Sequence, residues 1–280
     1  MSLGRALRKV LVIDNGKPCN RQTPHSHNFI TQDGETPGAI ALKAREQVQK
    51  YNSVHFFEGT AVTGRKSESG FEIEAQTGEI FSGSRLVFAT GLRDIMPPIK
   101  GFAECWGISV LHCPYCHGYE VKQEKIGIIA NGDVAFHYAQ LISNWTADLI
   151  LFTNGKSTLT EEQTRIVLKH NIQIIEKEID SLEHKDGYVR QVVFKDNSVS
   201  PVKAIYSRPA FEQRSGIPKA LGCELTEQGL LKVDNLQRTT VKGIYACGDT
   251  SSGRAVSVAV STGTMAGAAL NNHWREEEFS

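Results

Sequence analysis

The chain has 280 residues, enough for one large domain or two modest ones with their own cores. Lysine plus arginine and aspartate plus glutamate number 31 each, so the formal net charge is +0. A neutral chain has no general attraction to nucleic acid or anionic lipid, and a small molecule or a protein is the expected partner. The apolar run at residues 10–13 is cut off by Asp14 and is too short for a signal sequence or a membrane span. We therefore expect a cytoplasmic protein that binds neither nucleic acid nor membrane.

The first part of the chain alternates apolar strands with a helix. Residues 10–13 predict a buried parallel strand that ends at Asp14 before a turn at Asn15 and Gly16. Residues 38–51 predict a helix, and further strands are predicted around 55–57, at 71–75, at 79–81 and at 85–90, the last closed by Gly91.

The motif at residues 113–117, CPYCH, follows this first alternation. Two thiols separated by two residues can close a small disulfide that is readily reduced, which suits electron transfer better than structural bracing. In a reducing cytosol such a pair is more typical of catalysis than of structure. The motif therefore predicts a redox-active pair, Cys113 and Cys116.

Three other interpretations of the motif stay open. A structural zinc site would need a second ligand pair; the remaining four cysteines are scattered singly, although His112 and His117 flank the motif. The C-x-x-C-H spacing is also that of haem c attachment, which requires export. The two thiols could also be ordinary buried side chains.

A second alternation begins after the motif. Residues 125–129 predict a strand, a turn follows at 131–133, and the next helix has one apolar face, formed by Val134, Ala135, Tyr138, Leu141 and Ile142. A strand at 149–153 precedes a helix that runs to about residue 170, where Thr160 and Gln163 predict a capping box. A strand at 172–175 and a meander at 181–202 follow.

In the last third of the chain, residues 243–249 predict a strand that ends with Asp249 in a loop. A helix of small residues is predicted after it, at about 255–271. Two strand–helix alternations on either side of the thiols predict an α/β protein with two Rossmann-like, three-layer nucleotide-binding domains. The predicted domains are 1–111 with 205–280, and 112–204, which carries the thiol pair.

The chain resembles the low-molecular-weight thioredoxin reductase family, in particular its FAD-dependent dithiol oxidoreductase branch. The resemblance spans nearly the whole chain and is carried by four motifs in the order and approximate spacing of the family: VLVID at 10–14, ATG at 89–91, CPYCHG at 113–118 and GIYACGD at 243–249. It implies that 1–111 with 205–280 binds FAD and that 112–204 is of the nicotinamide-binding type.

The resemblance also implies roles for individual residues. Those implied to bind FAD are Asp14 at the ribose, Val62 at the adenine through its backbone, Thr90 and Gly91 close to the flavin, Gly248 and Asp249 at the ribityl or pyrophosphate end, and Ser257 at the pyrimidine edge. Cys116 is implied to face the flavin and Cys113 to exchange with substrate. His117 stands where relatives usually carry an acid that protonates the leaving thiolate, and a histidine can do this work in both directions.

The chain departs from the family pattern in two cofactor regions. The strand and G-x-G-x-x-G loop that open the family are absent; residues 2–7 match the tail of its first helix, short by about 20 residues of a strand-turn-helix unit. We expect weak FAD binding if this start is the true one. Residues 130–135, ANGDVA, stand for G-x-G-x-x-A, and residues 152–156 offer neither an arginine pair nor an acid for the adenosine ribose, so the use of NADPH is uncertain.

We therefore expect an enzyme that moves two electrons between FAD and the pair Cys113 and Cys116, with a thioredoxin-like protein or a small dithiol or disulfide as partner. By resemblance it is a homodimer, and no resident metal is expected. Alternatives are a reductase with another donor such as ferredoxin, a small-molecule dithiol oxidase that uses oxygen, and a flavin-poor redox or scaffold protein without enzymatic activity.

Overall fold

The structure is a computed structural model that describes residues 1–280. Its helices, in chain order, are α1 (Ser2–Arg5), α2 (Pro37–Gln49), α3 (Phe102–Cys105), α4 (Pro114–His117), α5 (Gly132–Ile142), α6 (Glu161–Lys169), α7 (Ile217–Ala220) and α8 (Val256–Phe279). A single 3₁₀ turn, Gly248–Thr250, precedes α8.

The strands are β1 (Val10–Asp14), β2 (Val54–Glu58), β3 (Ala61–Ser67), β4 (Gly70–Ala75), β5 (Ile80–Gly83), β6 (Leu86–Phe88), β7 (Leu92–Asp94), β8 (Val110–Leu111), β9 (Ile126–Ile129), β10 (Leu149–Phe152), β11 (Gln173–Ile175), β12 (Ile179–Lys185), β13 (Tyr188–Phe194), β14 (Val199–Pro201), β15 (Ala204–Ser207), β16 (Phe211–Gln213) and β17 (Ile244–Ala246). The mixture of parallel strands and helices confirms the predicted α/β class with Rossmann-like elements.

The chain divides into two compact units. The first comprises Met1–Arg21, Gly38–Arg93 and Phe211–Ser280, and the second comprises Gln22–Pro37 and Asp94–Ala210. The assignment of 1–111 with 205–280 to FAD and of 112–204 to a nicotinamide-type domain stays a prediction.

The first unit contains two pairs of parallel strands and one small antiparallel sheet. β1 pairs with β2, β17 pairs with β6, and β3, β4 and β5 form a meander. Its main core lies between the meander, β6, β17 and the segment after α7; the buried residues include Phe71, Phe88, Leu231 and Ile244. A smaller cluster joins Tyr245 and Cys247 to the buried face of α8.

The second unit has a five-stranded parallel sheet in the order β11-β10-β9-β15-β8. Side chains alternate between the two faces of a strand, so a sheet covered on both faces is apolar throughout. One face packs against α5 through residues such as Ile128, Leu151 and Tyr206. The other packs against the meander β12-β13-β14 through residues such as Phe152 and Ile205. The result is the three-layer arrangement that the alternation predicts.

Several local predictions are confirmed, and one is wrong. The capping box is formed: the Thr160 hydroxyl accepts from the Gln163 amide at 3.1 Å, and the Gln163 carbonyl oxygen accepts from the Thr160 amide at 2.9 Å. On α5, however, the buried residues are Ala135, Tyr138, Ala139 and Ile142, whereas Leu141 is half-buried and Val134 is 38% exposed. Val134 lies in the first turn of the helix, at the edge of the stripe that faces the sheet.

No helix in the structure is both long enough and apolar enough to span a membrane. The longest helix, α8, contains charged residues in its last two turns.

Candidate functional site

The Cys113 and Cys116 side chains form a disulfide, with the two Cα atoms 5.3 Å apart. The motif follows the edge strand β8 and forms α4. Pro114 lies in the first turn of α4, where a backbone N–H would have no partner within the helix in any case. Cys113 is the N-cap of α4, and its sulfur accepts a hydrogen bond from the Cys116 amide at 3.2 Å. Both cysteines are half-buried. The structure thus brings the predicted redox pair together in its oxidised form.

The Cys116 amide favours negative charge on the Cys113 sulfur. A backbone N–H aimed at a thiolate stabilises it, as hydrogen bonds to charged acceptors are stronger than those to neutral ones. Cys113 is therefore prepared to leave as a thiolate from a mixed disulfide with a substrate.

His117 follows the pair and ends α4. Burial lowers the pKa of its imidazole, since the charged form loses its water; Glu120 opposes this effect, and His27 adds to it. The imidazole is consequently neutral near pH 7 and can take a proton from an incoming thiol.

A zinc site, one of the alternatives that the motif left open, finds no support in the arrangement of ligands. No group of three or more histidine, cysteine, aspartate or glutamate side chains could hold a metal ion anywhere in residues 1–280. Cys105, Cys223 and Cys247 are buried at separate places, and burial raises the pKa of each thiol, that of Cys247 to about 11.

Two loops of the first unit meet at the carboxyl ends of β6 and β17. The strands are adjacent and parallel, and the Cys247 amide donates to the Phe88 carbonyl at 2.9 Å. The loops after them contain Thr90 and Gly91, and Gly248 and Asp249. The carboxyl ends of parallel strands are where such sheets bind ligands. Four of the predicted FAD-binding residues are therefore brought together.

These two loops have polar groups and space to offer a ligand. The Thr90 hydroxyl oxygen is buried and has no hydrogen-bond partner, which is unusual for a buried polar atom and indicates a group that another molecule satisfies. Gly91 has φ +68°, and a Cβ built there would meet no atom within 4 Å, so the backbone faces open space. Gly248 also has positive φ, +70°, and its amide donates to the Thr262 hydroxyl at 2.9 Å.

Ser257 lies in the first turn of α8 and is exposed. No side chain caps this helix and its first turn contains no acid, so its N-terminal amides and dipole favour a negative or electron-rich group.

Asp14 ends β1 and is exposed. One carboxylate oxygen accepts from the Gly16 amide at 3.0 Å, and its backbone carbonyl accepts from the Gly59 amide at 3.0 Å. Val62 is three residues further on, where a register shift interrupts the pairing of β3 with β4. At such a bulge the ladder is disrupted, so the backbone near Val62 can bind a ligand. Asp249 contacts the segment that follows β1, because the Cys19 sulfur lies 3.7 Å from its carboxylate.

The loop at residues 130–135, where the family would bind the nicotinamide pyrophosphate, is closed by its own side chains. The Asn131 amide oxygen caps α5 and accepts from the Gly132 amide at 2.9 Å and the Thr158 amide at 2.8 Å. The same residue donates from its amide nitrogen to the Lys156 carbonyl at 2.9 Å. A Cβ at Gly132 would lie 3.0 Å from the Thr158 hydroxyl, so there is little room at this point. The Gly132 amide, at the N-terminus of α5 where a phosphate would bind, is thus already bonded.

The charges around this loop are also unfavourable to a phosphate. Asp133 is in the first turn of α5, and its carboxylate accepts from the Gln163 side chain at 2.8 Å. The Glu176 carboxylate accepts from the Ser157 amide at 2.7 Å, beside the exposed Lys156. The Asp133 and Glu176 carboxylates would repel the negatively charged diphosphate and 2′-phosphate of NADPH, and Lys156 alone does not offset both. The loop therefore does not fit NADPH. The sequence analysis missed Asn131 as the cap of α5, although an asparagine directly before a helix is the signal for it.

The fold, the Cys113–Cys116 disulfide and the loops after β6 and β17 define an α/β oxidoreductase with a redox-active disulfide. Residues 1–263 match the model of the family described as pyridine nucleotide-disulphide oxidoreductase, and the chain belongs to this family. Its cofactor is FAD, and it acts on sulfur groups in the manner of thioredoxin reductases.

Individual relatives agree with this family membership. The chain is similar to TrxB of Bacillus anthracis, with 33% identity and a TM-score of 0.94 over 99% of this chain and 94% of that chain. It is also similar to an oxidoreductase of Agrobacterium tumefaciens, with 34% identity and a TM-score of 0.90 over 97% of this chain and 92% of that chain. Thioredoxin reductase sirT of Leptosphaeria maculans is 28% identical over 97% of this chain and 88% of its own length.

Removal of the Thr90 hydroxyl is expected to weaken FAD binding without loss of stability. Thr90→Val keeps the shape of the side chain, and the apoprotein loses no hydrogen bond. One hydrogen bond to a neutral group is worth about 0.5–1.5 kcal/mol, so the FAD dissociation constant should rise about 2- to 12-fold. Fluorescence titration of FAD into the apoprotein measures this change. The control is Thr63→Val, whose hydroxyl donates to Glu74 at 3.0 Å on the surface of the same unit; equal dissociation constants for both variants would remove Thr90 from the FAD site.

Proposed function

We propose that Cys113 and Cys116 exchange two electrons with an external dithiol or disulfide, and that the preferred direction is oxidation of a dithiol. The observation that carries this proposal is the formed Cys113–Cys116 disulfide next to a histidine whose pKa is lowered by burial. A neutral imidazole beside an oxidised pair is ready to accept a thiol proton.

The chemistry proceeds by two displacements. His117 takes the proton of one substrate thiol, and the thiolate attacks the Cys113 sulfur; the Cys113–Cys116 bond breaks, and Cys116 leaves as a thiolate. The second substrate thiol gives its proton to the Cys116 thiolate, and the new thiolate attacks the substrate sulfur of the mixed disulfide. Cys113 leaves as a thiolate stabilised by the Cys116 amide and then takes the proton that His117 holds. The substrate becomes a disulfide, and the protein gains two electrons as a dithiol. FAD, when bound, supplies an acceptor for these two electrons.

We also propose which residues hold FAD. Asp14 would bind the ribose, the backbone at Val62 the adenine, and Thr90 and Gly91 the region close to the flavin. Gly248 and Asp249 would bind the ribityl or pyrophosphate end, and Ser257 with the first turn of α8 the pyrimidine edge. Their support is the unpartnered Thr90 hydroxyl, the open space at Gly91 and the uncapped helix. Cys116 would face the flavin.

The closed loop at 130–135 also bears on the electron acceptor. It favours a small-molecule dithiol oxidase with oxygen as acceptor over a reductase that NADPH drives. The partner would be a small dithiol, or else a thioredoxin-like protein. A cytoplasmic location and a homodimeric state are further parts of this proposal; the neutral charge and the resemblance to the reductase family support them.

The direction and the partner are tested with 1,4-dithiothreitol as the probe dithiol. In air, the flavin-loaded protein should form one hydrogen peroxide for each dithiothreitol oxidised, because both reactions transfer two electrons. 2-Mercaptoethanol should react more slowly, since its second displacement is intermolecular. Absence of peroxide, together with rapid NADPH-dependent reduction of a thioredoxin, would show that the protein is an ordinary thioredoxin reductase.

A further inference from the structure

The segment Gln22–Pro37 lies between β1 and α2 in the sequence, yet it belongs to the second unit, with the redox pair. The Gln22 side chain donates to the Trp106 carbonyl at 3.3 Å. The loop is then closed by its own backbone, because the Ser26 amide donates to the Glu35 carbonyl at 2.8 Å and the Gly34 amide to the Ser26 carbonyl at 2.9 Å. The segment is thus a closed loop with defined anchors, and its position is fixed relative to the rest of this unit.

His27 is held in this loop between two carboxylates. Its Nδ1 lies 3.5 Å from Asp33, and its Nε2 lies 3.5 Å from Glu120, which follows α4. The other oxygen of Asp33 accepts from the Asn28 amide at 2.7 Å, so Asp33 is itself fixed. The side chain of His27 is only 21% exposed, compared with 41% for Glu120. His27 therefore occupies one defined orientation, with one ring nitrogen directed at Glu120.

Glu120 interacts with both histidines: it contacts His27 directly and raises the pKa of His117. Two titratable groups act on His117 from the elements around it: Glu120, from the segment after α4, and His27, from the loop. Glu120 also acts on Tyr206 of β15, whose phenol is kept neutral because burial raises its pKa well above the usual range. A carboxylate that contacts His27 at 3.5 Å is partly engaged there and less able to turn toward His117.

We propose that His27 is a positioning residue for the dithiol reaction: it holds Glu120 so that His117 meets the substrate thiol as a neutral base. This inference rests on the proposed function, in which His117 accepts the thiol proton. It assigns a role in the redox site to a residue that lies 86 positions before Cys113 in the sequence.

The proposal is tested by the titration of His117 itself. The protein contains nine histidines; labelled with 13C-histidine, its imidazole signals can be followed by NMR against pH, and His117→Asn assigns the signal of interest. His27→Ala should raise the pKa of His117, because Glu120 is released toward it and the lowering effect of His27 is lost. Glu120→Gln should lower it, because the one opposing charge is lost. The two variants are therefore expected to move His117 in opposite directions.

The conservative variant separates positioning from loss of charge. His27→Gln keeps a side-chain N–H for Glu120 and should leave the pKa of His117 between those of the wild type and of His27→Ala. His25→Ala is the matched control: His25 is exposed in the same loop, its ring N–H donates to the Gly34 carbonyl at 2.8 Å, and the titration of His117 should not change. Equal shifts for His27→Gln and His27→Ala, a shift of the same sign for His27→Ala and Glu120→Gln, or no shift in either would overturn the proposal.

Failure of this proposal can be distinguished from failure of the proposed function. The pH dependence of anaerobic reduction of the Cys113–Cys116 disulfide by dithiothreitol is measured for the same variants. If the proposal holds, the pH midpoint of this rate moves with the NMR titration of His117. If the NMR shifts occur as expected but the midpoint does not move, His27 has no positioning role in the reaction, and the proposal is overturned while dithiol oxidation itself stands. If dithiothreitol does not reduce the pair at any pH, the proposed function fails.

Discussion

Cys113→Ser and Cys116→Ser should each abolish turnover of any dithiol or disulfide substrate, with a loss of about 10³-fold or more. A serine hydroxyl is not ionised near neutral pH and cannot form the mixed disulfide. The two variants should differ spectroscopically in the flavin-loaded protein. Cys113→Ser leaves Cys116 as a thiolate beside the oxidised flavin, visible as a long-wavelength charge-transfer band, whereas Cys116→Ser should show no such band.

The assignment of the two sulfurs depends on that difference. Cys223→Ser is a suitable control, because Cys223 lies in the core of the first unit with its sulfur 3.6 Å from the Thr239 hydroxyl, and a serine keeps this contact. Turnover of the control should equal that of the wild type. A charge-transfer band in Cys116→Ser instead of Cys113→Ser would reverse the roles, and activity retained in both variants would exclude the pair from catalysis.

NADPH and NADH should both reduce the bound flavin slowly, with little preference between them. The amides of Gly132 and Thr158 already bond Asn131, and the Asp133 carboxylate lies in the first turn of α5. Loss of a hydrogen bond to a charged group costs about 1.5–3 kcal/mol, so two lost contacts move binding from micromolar toward millimolar. Anaerobic stopped-flow absorbance at micromolar NADPH measures the rate, and rapid bleaching would contradict this expectation.

The cause of the slow reduction can be tested by restoring the loop. Ala130→Gly with Asp133→Ala restores the first glycine of the motif, which serves its tight turn, and removes the acid, and should raise the rate with both nucleotides. The double variant also loses the contact of Asp133 with Gln163 and a first-turn acid, which costs about 0.3–1 kcal/mol of helix stability. Reduction by dithiothreitol in the same preparation shows that the flavin and the cysteine pair remain intact.

Much of the fold could be predicted because its signals are local. The apolar runs of β9 and β10, the apolar face of α5 and the capping box of α6 each depend on residues within one or two turns of each other. The short elements α3, α4 and α7 were not predicted, since a helix of four residues has no periodicity to detect.

The sequence by itself determined the α/β class, the redox pair and the family, since each depends on residue type and spacing along the chain. Only the tertiary structure decided which groups meet. It placed the Thr90 hydroxyl in a buried position without a partner, folded Asn131 onto Gly132 and Thr158, and brought His27 to Glu120, 93 positions away. Such contacts depend on strand order and loop closure, and spacing in the sequence carries no information about them. A hydrogen bond or ion pair between distant segments forms only when the folded chain has brought the two segments together.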